Sequence, residues 1–179
     1  MHRVVSIAFA ALALASCAEV SPPTSESGQT AYESVPAAGV AFDDRDFAWS
    51  TARGTGAIVG SLAYRRGGAR YSCQGGDVLL TPETAWSRRR MIILYGSAVA
   101  AAAPVSIVRA RTPSAGTGDY ARFVRRTTCD ADSRFAFHDL PDGAWFVITI
   151  GKPVNGAGEP VAVTRRVETH GGVVSATLS

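Results

Sequence analysis

The fold class of this chain is decided by residues 127–145, TTCDADSRFAFHDLPDGAW. Phe135 and Phe137 alternate with other residues, which places both rings on one face of a β-strand. The Leu-Pro-Asp-Gly at residues 140–143 puts proline and glycine where tight turns require them. Aromatic and β-branched residues from Trp145 onward then begin another strand. This segment therefore predicts two strands joined by a tight turn.

Short apolar runs bounded by turn residues continue on both sides of that segment. The last two runs are expected to pair with each other across His170-Gly171-Gly172. Seven short strands at this spacing predict an all-β protein with a seven-stranded, Ig-like β-sandwich of two sheets. The predicted strands cover residues 57–64, 77–81, 123–128, 134–138, 145–150, 161–167 and 173–178.

One segment between the second and third predicted strands departs from this pattern. After Pro82 the sequence predicts one short helix, capped by Thr81 and ending near Gly96. Residues 97–108 fit either a continuation of this helix or a further strand. Residues 109–119 are predicted to form an exposed loop.

The first residues, MHRVVSIAFAALALASC at positions 1–17, have the pattern of an export signal. The apolar run at 4–14 is too short to span a bilayer, which needs about 20 apolar residues. Residues 14–17, Leu-Ala-Ser-Cys, resemble the lipobox of bacterial lipoproteins. That resemblance implies a signal peptide at 1–16, a diacylated Cys17 and an amino terminus that is also acylated, with palmitate among the acyl chains. Ala18, rather than Asp, follows the cysteine, so the resemblance favours the outer membrane. The alternative is an ordinary export signal.

A flexible tether is predicted to follow the lipidated cysteine, over residues 17–48. It is rich in Pro, Ser, Thr, Gly and Glu, and such a segment cannot bury enough surface to offset its ordering entropy. Phe42, Phe47 and Trp49 are expected to pack onto the domain, which is predicted to cover residues 49–179. The alternative is that these aromatic residues form an exposed binding motif.

The cysteine count supports export. An odd number of cysteines, here three, leaves one thiol to explain in an exported protein. If Cys17 carries lipid, Cys73 and Cys129 can form a disulfide in an oxidising compartment. The rival interpretation, a metal site, needs more ligands than two cysteines and scattered histidines provide. No metal and no cofactor are therefore expected.

With these residues laid out, the domain resembles the carboxypeptidase regulatory-like domains, which have a transthyretin-like (prealbumin-like) β-sandwich. The resemblance depends mainly on residues 127–145, because members carry an acidic turn, an F-x-F strand and a Leu-Pro-x-Gly-x-aromatic corner. Residues 73–84 resemble the opening of bacterial members that have a helix after an early strand. Ser133 stands where glycine is usual, so that turn is expected to differ slightly. The resemblance covers about residues 54–179 and implies no catalytic zinc.

Charge and motifs favour a binding or scaffolding module for an envelope protein or glycan. Eighteen basic and fifteen acidic residues leave a net charge of +3, too small an excess to indicate nucleic acid. The sequence contains neither H-E-x-x-H nor G-x-S-x-G, so no enzyme activity is expected. The candidate contact residues are Trp86, Arg88, Arg89, Arg90, Arg109 and Arg111. The alternative for the Arg88-Arg89-Arg90 cluster is that it forms a solvated helix face.

The alternative function is a periplasmic hydrolase with an unrecognised site near His138. Asp139 or Asp142 could position its imidazole for proton transfer. The alternation that places Phe135 and Phe137 together puts His138 on the opposite face, toward solvent. No nucleophile is evident beside it.

Overall fold

The computed structural model of the chain describes residues 40–113, 119–156 and 158–179. These ranges are mostly β, as predicted, but they form ten strands rather than seven. The strands are β1 (Gly56–Leu62), β2 (Arg65–Arg66), β3 (Ala69–Ser72), β4 (Asp77–Pro82), β5 (Ala100–Pro104), β6 (Arg125–Thr128), β7 (Arg134–Leu140), β8 (Gly143–Pro153), β9 (Val161–Thr169) and β10 (Gly172–Leu178). The helices are α1 (Asp44–Phe47), α2 (Ala85–Tyr95) and α3 (Val105–Arg111), with short 3₁₀ turns at Ala48–Thr51 and Tyr120–Phe123.

The amino-terminal predictions lie largely outside this part of the chain. The predicted signal peptide at 1–16, the lipid site at Cys17 and the tether up to residue 39 are not among the described residues. Within the described ranges, no helix is long and apolar enough to cross a membrane.

The described strands form two sheets. The smaller sheet has the order β10-β1-β7, with β10 parallel and β7 antiparallel to β1. The larger sheet has the order β5-β9-β8-β4-β6, and all of its neighbouring strands are antiparallel. The β2–β3 hairpin extends this sheet, because β3 pairs with the far end of β8.

The two sheets share one hydrophobic core. The side chains of Trp145 and Val147 on β8 point into it, because alternate residues of a strand face the same side. From the smaller sheet, Ile58, Phe137 and Leu178 join the same cluster, and all five side chains are buried. Phe135 and Phe137, which were predicted to share one face of a strand, both lie in this core.

The other face of the larger sheet is covered by α2. Phe146 and Ile148, which alternate with the core residues of β8, pack with Met91 of α2 and with Ala98. Strand β8 is therefore buried on both faces. This explains why its middle residues read as a continuous apolar run instead of alternating.

Helix α2 begins later than predicted, so the prediction that Thr81 caps it is wrong. Strand β4 continues through Pro82, because Thr81 and Pro82 pair with β8. Thr84 caps the helix instead. Its hydroxyl accepts from the Ser87 amide at 3.1 Å, and the Ser87 hydroxyl accepts from the Thr84 amide at 2.8 Å. Gly96 ends the helix with a φ of 84°, as predicted.

The ambiguous segment at 97–108 divides into two elements. Ala100–Pro104 pairs with β9 as a strand, and α3 starts at Val105. Since α3 continues to Arg111, the predicted loop at 109–119 starts too early. Residues 114–118 of that loop lie outside the described ranges.

The predicted pairing of the last two strands is wrong. Strands β9 and β10 lie in different sheets, and β10 pairs in parallel with β1 along its whole length. The short link between them therefore crosses from one sheet to the other. The change of sheet places Ala176 and Leu178 of β10 in the shared core.

The end of the predicted tether packs onto the sheets. Phe47 is completely buried, and its ring stacks on Phe123 with centroids 5.1 Å apart. Phe42 contacts Phe47 at 5.2 Å, and Trp49 contacts Trp145 at 4.9 Å. The packing expected of these aromatic residues is confirmed, and the packed part of the chain includes residues before position 49.

Candidate functional site

A depression of about 600 Å³ lies where the β2–β3 hairpin, the end of β8 and the turn before β7 meet. We call it the hairpin depression. Its lining is largely polar and includes Arg65, Arg70, Ser72, Gln74, Asp132 and Lys152.

The hairpin is formed by a two-glycine turn. Gly67 and Gly68 have φ values of 57° and 79°, a conformation that side chains with a Cβ rarely adopt. Two successive residues with positive φ make the turn that best matches the twist of paired strands. The register that results sets Arg65 directly opposite Arg70.

Arg65 and Arg70 form the kind of cross-strand pair in which side chains lie closest. At the next position the Tyr71 amide donates to the Tyr64 carbonyl at 3.1 Å, so the two arginines are the non-hydrogen-bonded pair. Because side chains alternate, Tyr64 and Tyr71 lie on the opposite face of the hairpin. Their rings pack edge to face at 5.1 Å, with Tyr71 buried in the core.

Lys152, the single lysine of the chain, is added to this face by β8. It pairs with Ser72 in the β3–β8 register. Arg70 and Ser72 share one face of β3, because they are two residues apart. Lys152 is therefore a diagonal neighbour of Arg70, at a spacing that long side chains can bridge.

The hairpin depression carries excess positive charge. The side chains of Arg65, Arg70 and Lys152 have no hydrogen bond, ion pair or ring contact to another described residue. Asp132 also lines the depression, but its carboxylate lies 3.9 Å from a guanidinium nitrogen of Arg134. No other acidic residue lines this depression in the described part of the chain.

A disulfide holds the wall of the hairpin depression. The bond between Cys73 and Cys129, predicted from the cysteine count, is present with an S–S distance of 2.04 Å. It joins the residue after β3 to the residue after β6. Backbone hydrogen bonds between Gly76 and Cys129 and between Gly75 and Cys129, both 3.0 Å, strengthen the same link.

Ser133 explains how a non-glycine residue occupies this turn. Its φ is 59°, the left-handed conformation that accounts for the usual glycine. The Ser133 and Ser72 hydroxyls are hydrogen bonded at 2.8 Å, and the Cys73 amide donates to the Ser133 hydroxyl at 3.3 Å. The side chain thus ties the turn to β3, which a glycine could not do.

Two of the predicted contact residues, Trp86 and Arg90, are held within the fold. The Arg90 guanidinium contacts the rings of Trp86 and Tyr120, 5.5 Å and 5.3 Å from their centroids, and the two rings pack against each other at 5.0 Å. Trp86 also packs edge to face on Phe42 at 5.4 Å and on Phe47 at 6.0 Å. Through these contacts, α2 and the 3₁₀ turn at Tyr120–Phe123 pack against the amino-terminal segment.

Arg88 belongs to a network of charges. It pairs at 2.7 Å with Glu83, whose other oxygen is 2.6 Å from Arg166. Arg166 also pairs at 2.6 Å with Glu168, which lies 3.5 Å from His170. Hydrogen bonds from Arg166 first, and then from His170, lower the pKa of the Glu168 carboxyl.

The remaining predicted contact residues are dispersed. Arg89 is exposed on α2, while Arg111 donates to the Leu94 carbonyl at 3.3 Å and so satisfies the end of α2. Arg109 lines a second depression, of about 340 Å³, between α3 and the larger sheet. Tyr95 also lines it, and burial raises the pKa of the Tyr95 hydroxyl to about 12. None of the six predicted residues lines the hairpin depression.

His138 is exposed on β7, as its alternation predicted. Within the described ranges its imidazole has no hydrogen bond or ion pair, and its carbonyl lies 3.5 Å from an Arg125 guanidinium nitrogen. Among the described residues, no group of three or more His, Cys, Asp or Glu side chains is placed to hold a metal ion.

The residues of the hairpin depression were not predicted as a site. The predicted strand ends at residue 64, and no role was predicted for the Arg65-Arg66-Gly67-Gly68 run that follows it. A Gly-Gly pair between short runs is itself a hairpin signal, and it would have set Arg65 opposite Arg70. Lys152 had no such local signal, because its position depends on the pairing of β3 with β8.

The chain is similar to the crystal structure of a "putative carbohydrate binding protein" from Pseudomonas aeruginosa. The identity is 22%, the TM-score is 0.56, and the similarity covers 76% of this chain and 96% of that chain. At this identity the likeness concerns the fold alone. No protein-family model matches the chain, and no curated protein matches it.

Proposed function

We propose that this chain is a membrane-anchored envelope lipoprotein whose non-catalytic β domain binds a glycan in the hairpin depression. The observation that carries this proposal is an open, polar depression, built on paired strands and a disulfide, whose cations have no partner among the described residues. Binding sites combine a concave surface with a few well-positioned polar groups, and they work best on rigid elements.

Hydroxyl groups and cations suit a sugar. The half-buried Ser72 hydroxyl can donate and accept, and arginine presents several donors in a planar array. The similar fold of a protein described as a putative carbohydrate binding protein supports a glycan over a protein ligand.

The test is to fill the hairpin depression. Ala131 is exposed in its wall, so an Ala131→Trp substitution should occupy the space without disturbing the core. Ala110, exposed on α3 and outside the lining, gives the matched control Ala110→Trp. We expect the full chain to bind glycans on an array of neutral and charged sugars. Ala131→Trp should abolish that binding, and Ala110→Trp should retain it.

The proposal fails if the unsubstituted protein binds no glycan on the array. It also fails if Ala131→Trp binds as well as Ala110→Trp while both variants unfold at the same temperature as the parent protein. In that second case a glycan site would have to lie elsewhere.

The non-catalytic part of the proposal has its own test. We expect no turnover of ester, peptide or glycoside panels by the full chain. Hydrolysis that is lost in His138→Ala, with unchanged thermal stability, would establish the hydrolase alternative instead.

Anchoring is proposed from the resemblance of residues 14–17 to a lipobox. An intact mass of protein purified from bacterial membranes should carry two or three acyl chains on an amino-terminal Cys17, facing the periplasm or the cell surface. A chain that retains residues 1–16, or one without lipid, would refute the anchor and the outer-membrane location.

We also propose that the domain is a transthyretin-like β-sandwich of the carboxypeptidase regulatory-like group. The F-x-F strand, the Leu-Pro-x-Gly corner and two sheets around one core support this assignment. An experimental structure with a strand order foreign to that group would overturn it.

A further inference from the structure

We infer that the hairpin depression selects a negatively charged sugar, whose carboxylate or phosphate group is held between Arg65 and Arg70. This inference rests on the proposed function and specifies its ligand. Two features of the described residues carry it: a like-charge pair, and an excess of cations over the one acidic residue in the described lining, Asp132.

The like-charge pair is unfavourable in the free protein. Arg65 and Arg70 face each other in the non-hydrogen-bonded register, where Cα atoms are typically about 4.5 Å apart. Like charges at directly opposite positions destabilise a pair of strands. An anion between the two guanidinium groups would convert this repulsion into two charge-assisted interactions, and arginine matches carboxylate or phosphate oxygens in pairs.

The charge around this pair is not balanced locally. Lys152 lies diagonally from Arg70 and, like both arginines, is exposed without an ion pair to a described residue. Asp132, the acid in the lining, is paired with Arg134, which lies outside the lining. The hairpin depression therefore presents three cations to its ligand.

Two aromatic residues, Tyr64 and Tyr71, also line the hairpin depression. Tyr71 is only 8% exposed, and Tyr64 packs against it on the opposite face of the hairpin from Arg65 and Arg70. On the cationic face, charge and hydrogen bonds supply the affinity. An acidic sugar uses both, with its charged group on the arginines and a hydroxyl on the half-buried Ser72 side chain.

The experiment compares charged probes with their own neutral forms on the purified full chain. Trigalacturonate is paired with its methyl ester, and pentamannose 6-phosphate with unphosphorylated pentamannose. The two charged probes distinguish a carboxylate from a phosphate. The variants are Arg70→Gln and, as the matched control, Arg66→Gln, because Arg66 lies opposite Ala69 and on the other face of the hairpin.

We expect at least one charged probe to bind about tenfold or more tightly than its neutral form in 50 mM salt, since charge-assisted hydrogen bonds exceed neutral ones. Arg70→Gln should remove that preference, and Arg66→Gln should keep it. Added salt should weaken the binding of the charged probe and leave the binding of the neutral form unchanged.

Two results would overturn the inference. Equal binding of the charged and neutral forms would refute charge selection. An equal loss of the preference in Arg70→Gln and Arg66→Gln would also refute it, because it would indicate diffuse electrostatic attraction. In both cases the proposed function stands as long as Ala131→Trp abolishes binding. If Ala131→Trp has no effect on any glycan, the proposed function itself fails.

Discussion

Two groups of arginines on this molecule are used in opposite ways. On the α2 side, Arg88 pairs with Glu83, and Arg90 makes cation–π contacts with Trp86 and Tyr120. At the hairpin, Arg65 and Arg70 face each other without a partner among the described residues. The first group forms contacts that hold α2, whereas the second presents charge that the described fold does not neutralise.

This difference shows that charge density along the sequence does not identify a binding surface. The Arg88-Arg89-Arg90 run is the densest cluster of arginines in the chain, yet two of its three side chains are engaged in internal contacts. Arg65 and Arg70 are not consecutive, because Arg66, Gly67, Gly68 and Ala69 lie between them. What distinguishes them is that their guanidinium groups make no ion pair or ring contact with a described residue.

The largest effect is expected from the disulfide that holds the hairpin side. Its loop closes over a separation of 56 residues, for which chain entropy gives a stabilisation of about 4 kcal/mol. The Cys73→Ala/Cys129→Ala variant should lose about this much free energy of unfolding, measured in urea. Reduction of the parent protein should give a similar loss. A change under about 1 kcal/mol would mean that this wall of the depression is held by other contacts.

Arg90→Ala should show that the α2 arginines are structural. Loss of the stacking on two rings should lower the free energy of unfolding by about 1–2 kcal/mol. Arg89→Ala is the control, because Arg89 is exposed and has no side-chain contact to a described residue; its effect should stay within about 0.5 kcal/mol. Glycan binding should be unchanged in both variants. A loss of binding in Arg90→Ala would erase the distinction between the two groups.

The sequence predicted much of this fold and little of the candidate site. The Phe135/Phe137 alternation and the turn at 140–143 define their own strands locally, and the cysteine count was sufficient for the disulfide. The parallel pairing of β10 with β1 and the position of Lys152 opposite Ser72 depend on contacts between distant segments. Pairing of that kind follows from how the sheets share a core, which no local pattern encodes.

Whereas Arg90→Ala should lower the free energy of unfolding, charge reversal at the hairpin should raise it. Arg70→Glu replaces a repulsive cross-strand pair with an attractive one, so we expect a gain of about 0.2–1 kcal/mol in the free energy of unfolding. Binding of the charged probe should be lost at the same time. Destabilisation by more than about 1 kcal/mol in urea unfolding would show that Arg70 makes a structural contact comparable to that of Arg90.

The smallest expected effect is the pH dependence of the charge network around Arg166. Because its partners lower the pKa of Glu168, the carboxylate stabilises the folded state above the ordinary glutamate pKa, and this contribution is lost as the pH falls through the lowered value. Glu168→Gln should therefore be slightly less stable than the parent at pH 7, and the difference should be smaller at pH 3. Thermal unfolding at both pH values, in low salt, measures the difference. A constant difference across this range would mean that ionisation of Glu168 does not stabilise the fold.

The central claim, that the hairpin cations bind ligand and the α2 arginines do not, is tested most directly by amide chemical-shift mapping. The isotopically labelled full chain would be titrated with whichever of trigalacturonate and pentamannose 6-phosphate binds more tightly. We predict shifts concentrated at residues 64–74, 131–133 and 152–154, with residues 85–95 unchanged. Shifts centred on 85–95, or none at saturating probe, would contradict the account.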